Sequence, residues 1–340
     1  MTARSIEFTS ERTQEVRGLA LAAGFSRARF LAPFEPRSAS GVEPPSGYAE
    51  GAPSLLVVAL PYGNDDPDGR DRAGRSSERA APSPSTAKGQ AGPRARIAPF
   101  ARRNYYAEAV ARLKKVAVEL RKRYGGKRAD YRILCNSPIP EKPLAEAAGL
   151  GAIGRNSLVM TPEAGSLVIL AAMTLPFEVA ADGPLAGPLD GGAKPRADRE
   201  GPRICGACSA CVAACPMGAL GGDGTLDRSR CLQWYASGHG EVPEDIAAAW
   251  GDTLYGCTAC LDACPHNRRP IPGVATDRGA LPAEVDAGEL LALSDDDLRA
   301  RFRDTAMGMA WLGPAAIRKN AERVVNWQDK TKRRSIPPRG

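Results

Sequence analysis

The chain has 340 residues, of which 43% are hydrophobic, so it is long enough to bury one or two cores. It contains no stretch of about 18 apolar residues, which excludes a membrane-spanning helix, and its N-terminus lacks the apolar run of a secretory signal. We therefore expect a cytoplasmic protein without membrane contact, in which closely spaced members of the nine cysteines bind metal and do not form disulfides.

The basic residues behind the net charge of +7 are not evenly spread. One cluster lies within residues 121–128 and another within residues 330–334. Such clusters attract phosphate backbones, but they also occur on solvated helix faces and in disordered tails. Charge alone leaves nucleic-acid binding and a solvated surface as equal alternatives.

The first half of the chain alternates helical and strand patterns. Apolar residues recur at helical spacing in some segments, and short apolar runs typical of buried strands lie between them. In chain order these are a helix leading into a strand over residues 11–33, a strand over 54–60, a helix over 105–124, a strand over 131–135, a helix over 143–148 and a strand over 166–174. The alternation predicts an α/β domain over residues 1–180.

The remaining segments differ in composition. Residues 63–95 are mainly Asp, Arg, Ser, Pro and Gly, which predicts a disordered insertion because almost nothing there can be buried. Residues 181–202 are rich in Gly, Pro and charge and are interpreted as a linker. After a cysteine-rich domain over residues 203–270, we predict a short α-helical region over 271–327 and a basic tail over 328–340.

The cysteines carry the strongest chemical signal in the sequence. In bacterial ferredoxins, three cysteines of a run bind one [4Fe–4S] cluster, and the fourth, before a proline, binds the other cluster. This chain has one full run, Cys205-x2-Cys208-x2-Cys211-x3-Cys215-Pro216, and a shorter one, Cys257-x2-Cys260-x3-Cys264-Pro265, which Cys231 completes. The crossover predicts cluster 1 on Cys205, Cys208, Cys211 and Cys264, and cluster 2 on Cys215, Cys231, Cys257 and Cys260.

Two structural zinc sites are the alternative for these eight cysteines. Structural zinc usually joins two C-x2-C pairs, and it does not need three cysteines within seven residues or a Cys-Pro in both runs. We therefore predict a bacterial dicluster ferredoxin-like domain. Two clusters form a path for single electrons, one end of which would accept them from a ferredoxin- or flavodoxin-type donor.

The glycines Gly149, Gly151 and Gly154 match the spacing of a dinucleotide-binding fingerprint. That fingerprint must follow a strand and open a helix, whereas these glycines follow a helical stretch and lead towards a strand. We therefore interpret them as a turn through which the backbone approaches some other large cofactor.

Several segments, in a fixed order, carry a family resemblance. They are residues 100–105, 136–157, 163–166, 294–306 and 317–321, together with the eight cysteines. In these segments the chain resembles the epoxyqueuosine reductases, which are cobalamin-dependent iron–sulfur enzymes of tRNA modification. The resemblance runs over about residues 10–327, with gaps at the two low-complexity segments.

The resemblance implies a base-off cobalamin held between a cobalamin-binding-like α/β domain and the cluster domain. The family reduces an epoxide on a modified tRNA wobble base to an alkene, and an acid protonates the departing oxygen. Such a proton donor speeds the step because expelling an alkoxide is costly. The resemblance also implies cofactor contacts at Arg103, Asn136, Gly151, Gly154, Ser157 and Ser166.

The chain departs from the family at the reacting centre. Asn136 stands where the family has the aspartate taken as its proton donor, and an amide does not cycle a proton near neutral pH. The adjacent Cys135 is either a substitute donor or, as we favour, a buried strand cysteine. His239 and His266 both lack the sequence context of a lower cobalt ligand and are interpreted as exposed loop residues.

The resemblance thus predicts a monomeric oxidoreductase that converts epoxyqueuosine to queuosine in tRNA. Two alternatives stay open. One is a paralogue with the same cofactors and a non-tRNA substrate, and the other is a dicluster electron-transfer module without catalysis. The resemblance leaves Asn136 as the candidate catalytic residue, which would hydrogen-bond near the cobalt face while water or another group supplies the proton.

Overall fold

The computed structural model describes residues 3–34, 52–63, 92–185, 203–268, 271, 273–309 and 312–335. Most of the predicted insertion and of the predicted linker lies outside these residues. The strands are β1 Arg27–Leu31, β2 Ser54–Pro61, β3 Arg94–Ile97, β4 Ile133–Leu134, β5 Ala152–Ile153, β6 Val159–Met160, β7 Val168–Leu175, β8 Thr253–Tyr255 and β9 Glu284–Asp286. The helices are α1 Ala3–Ala22, α2 Tyr105–Tyr124, α3 Glu141–Ala147, α4 Ala210–Ala214, α5 Leu232–Ala236, α6 Glu244–Ala248, α7 Ala259–Asp262, α8 Ala287–Ala292, α9 Asp295–Phe302 and α10 Pro314–Ser335.

A four-stranded sheet with the order β1-β2-β7-β4 forms the centre of the N-terminal part. All its pairings are antiparallel, and β2 pairs with β7 along its whole length. Every residue of β2 is buried, which is why the sequence shows a continuous apolar run there instead of alternation. The predicted mixture of helices and strands is confirmed.

Helices cover both faces of this sheet. Leu56, Val58 and Leu60 of β2 point to one face, where they share a core with α1 and α2. Leu55 and Val57 point to the other face and pack in a core with α3. Burying such side chains stabilises the domain by about 1.5–3 kcal/mol each, so the sheet is fixed in position between two apolar layers.

Helix α2 has the bounds that the sequence predicts. Its apolar stripe includes Leu113 and Leu120, which are fully buried, whereas Val118 on the opposite side is exposed. The side chain of Asn104 caps its start by accepting the N–H of Ala107 at 3.0 Å, and Gly125 ends it with a φ of 74°. Because the cap and the apolar stripe are local signals, the sequence suffices to locate this helix.

A three-stranded sheet with the order β8-β3-β9 forms in the C-terminal half. Arg94 and Ala95, which the sequence analysis placed in the disordered insertion, instead begin β3. The insertion therefore ends earlier than predicted, because Ala95 and Ile97 are fully buried against the C-terminal core. Strand β3 thus ties the N-terminal part of the chain to the part that follows the cysteines.

The C-terminal region is mainly helical, as predicted, and contains β9 as well. Its core is built around Trp250 and Phe302, which are 1% exposed, and includes Val324 of α10. Helix α10 runs to Ser335, so most of the predicted basic tail continues a helix. Among the helices of the described residues, none combines the length and the apolar character needed to cross a membrane.

Candidate cluster and cofactor site

Four cysteines surround one small cavity near the start of the cysteine-rich segment. Cys211 lies in α4, Cys264 follows α7, and both line this cavity together with Cys205 and Cys208. The backbone N–H of Arg155 donates to the Sγ of Cys205 at 3.3 Å. Hydrogen bonds to ligand sulfur are one of the means by which proteins set cluster potentials. The structure therefore brings together the four residues predicted for cluster 1.

The other four cysteines line a larger cavity of about 320 Å³. The N–H of Ala219 donates to the Sγ of Cys215 at 3.3 Å. The N–H of Cys257 donates to the side-chain oxygen of Gln233 at 3.1 Å, which fixes the backbone where this cysteine enters the cavity. The full set is Cys215, Cys231, Cys257 and Cys260. These are the residues predicted for cluster 2.

The spacing of the thiols suits clusters better than single ions. In the described residues, no three His, Cys, Asp or Glu side chains converge closely enough to hold one metal ion. Four thiolates around zinc lie about 2.3 Å from the metal, so they must converge on one point, whereas those around a cube stand further apart. Burial raises the pKa of Cys260 to about 12, so this thiol keeps its proton until metal displaces it.

The larger cavity continues from the cysteines to the sheet of the α/β domain. On that side its lining is aromatic and aliphatic, with a few polar side chains. It includes Tyr62, Tyr106, Asn156, Ser166 and Ile169. A mostly apolar cleft between two parts of a protein, with a few polar groups, is typical of a cofactor site.

Asn267 joins the two sides of this cavity. Its side-chain oxygen accepts the N–H of Ser166 at 2.9 Å. Its amide group donates to the hydroxyl of Ser166 at 2.9 Å and to the carbonyl of Leu261 at 3.0 Å. Gly165 makes this approach possible, because a Cβ there would overlap the Asn267 oxygen. The contact holds the α/β domain against the end of α7.

Ser166 is the one predicted cofactor contact that lines the larger cavity. Arg103 instead donates from its guanidinium to the carbonyls of Thr276 at 3.1 Å and of Arg102 at 2.9 Å. These bonds attach the start of α2 to the segment after the cysteines. For Arg103 the structure therefore shows a role in joining segments, and a cofactor contact stays a prediction.

The two glycines predicted as cofactor contacts pack against β6. A Cβ at Gly151 would overlap the carbonyl of Met160, and one at Gly154 would overlap the sulfur of the same residue. Close packing of the β5–β6 hairpin therefore explains both glycines. Ser157 lies at the turn of this hairpin with a φ of 59°. Its carbonyl accepts a hydrogen bond from the ammonium of Lys142 at 2.9 Å. The cofactor contacts predicted at these three positions stay predictions.

Asn136 is exposed and does not line either cavity. Its φ of 53° is in the left-handed region, which asparagine tolerates better than most residues. The carboxylate of Glu141 accepts the N–H of Ser137 at 3.1 Å and so holds this turn. Burial raises the pKa of Glu141. The side chain predicted at the proton-donor position thus lies apart from the cavity.

Cys135 lies just after β4 and is partly buried. Its Sγ lies 3.7 Å from the carbonyl of Leu170, and the side chain packs against the main core. Burial raises the pKa of its thiol to about 12. This supports the structural interpretation that the sequence favours.

The two histidines are less exposed than predicted. His239 stacks on Trp234 with ring centroids 3.8 Å apart, and His266 lines the cavity of cluster 1. Both are half-buried. The sequence gives no sign of either contact. The stacking of His239 depends on a tight turn after α5, and the position of His266 at the cavity depends on how the chain folds after α7.

Sequence reasoning missed three residues of the larger site. Tyr106 and Asn156 line the cavity, and Asn267 closes the contact described above. For Asn267 a signal was present, since it is the second residue after the last Cys-Pro. For Tyr106 the signal was weaker, because at helical spacing it resembles any other residue of a buried helix face.

Comparison with known proteins identifies the cysteine-rich segment. Residues 204–267 match the family model of the 4Fe-4S double cluster binding domain. This confirms the predicted pair of [4Fe–4S] clusters.

Comparison with curated relatives extends beyond that domain. The epoxyqueuosine reductase of Staphylococcus aureus is 32% identical over 190 residues, which are 54% of this chain and 44% of the relative. That of Salmonella typhimurium is 34% identical over 202 residues, which are 59% of this chain and 46% of the relative. The resemblance to epoxyqueuosine reductases is confirmed. Each match spans less than half of the relative's length.

The fold agrees with solved epoxyqueuosine reductases. That of Streptococcus thermophilus gives a TM-score of 0.68 at 21% identity, covering 95% of this chain and 86% of the other. An epoxyqueuosine reductase solved with a tRNA-Tyr epoxyqueuosine-modified stem loop gives 0.70 at 22% identity, covering 97% and 86%. The chain therefore has the fold of the epoxyqueuosine reductases, with the α/β domain, the dicluster domain and the C-terminal helices that the sequence predicts.

Proposed function

We propose that this chain is a cobalamin-dependent iron–sulfur oxidoreductase that reduces epoxyqueuosine to queuosine in tRNA. One observation carries the proposal. The cysteines assigned to cluster 2 and the residues of the α/β sheet line the same cavity, so a cofactor bound there lies directly beside an electron source. The similarity to epoxyqueuosine reductases supplies the substrate.

The α/β side of the cavity has a lining that suits cobalamin chemically. Its aromatic and aliphatic lining, including Tyr62 and Ile169, suits the apolar faces of a large macrocycle. When bound, cobalamin supplies a low-valent metal that can pass electrons to an epoxide carbon.

The two clusters give electrons a route from the surface to this cavity. Cluster 2 lies at the cavity, whereas the cysteines of cluster 1 line a separate one. Cys264 and Cys215 each belong to one run and to the opposite cluster, so the crossover keeps the two clusters close. We place a ferredoxin- or flavodoxin-type donor at the cluster 1 end.

We further propose that tRNA carries the substrate. An epoxyqueuosine reductase of the same fold was solved with a modified tRNA stem loop. In this chain, Arg121, Lys122, Lys127 and Arg128 are exposed at the end of α2 and just beyond it, where they can contact phosphates. The proposal places this enzyme in the cytoplasm, where tRNA and such donors are both found, and takes it to act as a monomer.

Anaerobic reconstitution with cobalamin tests the cofactor. We expect about one cobalamin per chain, with the absorption and EPR spectra of the base-off form. If a protein with both clusters binds none, the electron-transfer alternative is favoured.

The tRNA of cells that lack the gene tests the substrate. Accumulation of epoxyqueuosine that disappears on complementation supports the proposed reaction. Normal queuosine content in cells whose protein binds cobalamin favours the paralogue with a non-tRNA substrate.

A further inference from the structure

The proposed reaction needs a proton at the epoxide oxygen, and the predicted donor position does not supply one. Asn136 carries no acidic proton, and its side chain is exposed, outside both cavities. Cys135 keeps its thiol in the core, beside the carbonyl of Leu170. The proton must therefore come from a different group.

The described residues that line the larger cavity include no carboxyl, imidazole or ammonium group. Apart from the cluster thiols, the acidic hydrogens there belong to Tyr62, Tyr106 and Ser166. The hydroxyl of Ser166 is bonded to Asn267. Tyr62 is buried with 6% exposure and packs edge-to-face on Phe100, so it serves as part of the wall.

Tyr106 differs from these residues in what surrounds its hydroxyl. It is the second residue of α2, and its ring packs against the main core. In the part of the chain that the structure describes, this hydroxyl has no hydrogen-bond partner. Its oxygen is nevertheless not fully buried, and the residue lines the cavity. The hydroxyl is therefore open to the cavity and available to a bound molecule.

The surroundings keep this phenol protonated. Burial raises the pKa of Tyr106, and the ionisable groups of Tyr255, Cys135, Glu141 and Tyr62 act in the same direction. Even so, a phenol is a far stronger acid than an aliphatic alcohol, because its ring delocalises the negative charge of the phenolate. Transfer of its proton to an alkoxide is therefore favourable.

We propose that Tyr106 is the proton donor of the reduction, an inference that rests on the proposed function. One epoxide C–O bond breaks as electrons from the clusters reach its carbon, and the bonding pair stays on oxygen. The Oη of Tyr106 gives its proton to that oxygen, and the phenolate regains a proton from water. Two electrons are used in all: the pair left on the carbon forms the C=C bond as the other C–O bond breaks, and a second proton turns the departing hydroxide into water.

Tyr106→Phe tests this, because it removes the hydroxyl and keeps the ring. We expect kcat to fall by about 10²–10⁴-fold while KM for tRNA, iron content and cobalamin content stay unchanged. Tyr131→Phe is the matched control, since that phenol donates to the carbonyl of Gly125 outside the cavity. If wild type is active and Tyr106→Phe keeps kcat within about threefold of it, the assignment is wrong although the proposed function stands.

A second measurement does not depend on turnover. Fluorotyrosine placed at position 106 should show a shifted or broadened ¹⁹F resonance when cobalamin binds, whereas fluorotyrosine at position 131 should not. An unchanged signal at 106 in cobalamin-loaded protein would overturn the inference whatever the substrate. Failure of the wild type to bind cobalamin would overturn the proposed function and this inference with it.

Discussion

At the scale of single residues, Asn267 decides how the two sides of the larger cavity meet. Its amide satisfies one backbone N–H, one hydroxyl and one carbonyl, and all three partners are remote from water. Removing one partner from a buried hydrogen bond costs about 1–3 kcal/mol, because the other partner is left unsatisfied. The side chain of Asn267 therefore contributes more to the stability of this contact than its small size indicates.

Asn267→Ala should lower the free energy of unfolding by about 2–3 kcal/mol, since the N–H of Ser166 loses its acceptor. Chemical denaturation of the cluster-loaded protein measures this. Asn326→Ala makes the same chemical change at an exposed position of α10 and should have little effect. Equal changes in the two variants would contradict the role given to Asn267.

Glu108 is a second residue that links distant segments. Its carboxylate accepts a hydrogen bond from Arg112 of α2 at 2.7 Å. It also accepts hydrogen bonds from Arg278 and from the hydroxyl of Thr276, both at 3.3 Å and both in the segment after the cysteines. Burial alone would raise the pKa of Glu108, but these hydrogen bonds outweigh it and the pKa is lowered. A carboxyl with a lowered folded pKa stabilises the fold above its unfolded pKa, and this contribution is lost as the pH falls through the folded value.

Glu108→Gln should therefore reduce the free energy of unfolding at pH 7 by about 1 kcal/mol, a value discounted because Arg278 is half-exposed. The difference from wild type should shrink as the pH falls below 4.5. Denaturation at pH 7 and pH 3 measures it. Glu119→Gln, which breaks only an exposed pair with Lys122 on the same helix, should have a smaller effect. A difference that persists at pH 3 would count against this account.

At the scale of elements, the turn before β7 determines how closely the α/β sheet approaches α7. Gly165 has a φ of 51°, and its backbone lies against both His266 and Asn267. A side chain at this position would meet two obstacles, the left-handed backbone and the neighbouring segment. The turn therefore controls the contact between two elements as well as its own conformation.

The pair Gly165→Ala and Gly183→Ala separates these two effects. Gly183 has a φ of 70° but open space where a Cβ would lie, so its variant carries only the backbone strain. Gly165→Ala should be less stable than Gly183→Ala by about 1–3 kcal/mol, because the overlap with Asn267 adds to the strain. Thermal unfolding of both proteins measures the difference. Similar losses would show that Gly165 matters only for its own conformation.

At the scale of the whole molecule, the two cysteine runs exchange their last members. Cys264 follows α7 in the second run but lines the same cavity as Cys208 of the first run. Cys215 ends the first run but lines the cavity of Cys260. The loss of either crossing cysteine should therefore remove the cluster of the other run.

Cys264→Ser should match Cys208→Ser in its EPR spectrum and differ from Cys260→Ser. In each variant one cluster of the double cluster domain should be lost, which leaves four of eight iron atoms per chain. Iron analysis and EPR of the reduced proteins measure this. If Cys264→Ser matches Cys260→Ser, its own neighbour in the run, the crossover is wrong.

Some of the molecule can be predicted from the sequence, because the signals are local. Helix α2 has its cap, its apolar stripe and its terminal glycine within a few residues of one another. Strand β3 could not be found in this way. Its four residues gain their burial from β8 and β9, which lie more than 150 positions further along the chain. The short β4 was predicted too long, because only Ile133 and Leu134 pair with β7.

The sequence by itself determined the chemistry of the clusters, since the spacing of cysteine ligands within a short segment already indicates which type of cluster they can bind. Only the tertiary structure decided that the cysteines predicted for cluster 2 line a cavity shared with the α/β domain, and that Tyr106 lies there while Asn136 does not. The reason is physical. Asn267 and Ser166 are separated by 101 positions, and no periodicity in a linear chain records which of its distant segments will pack together.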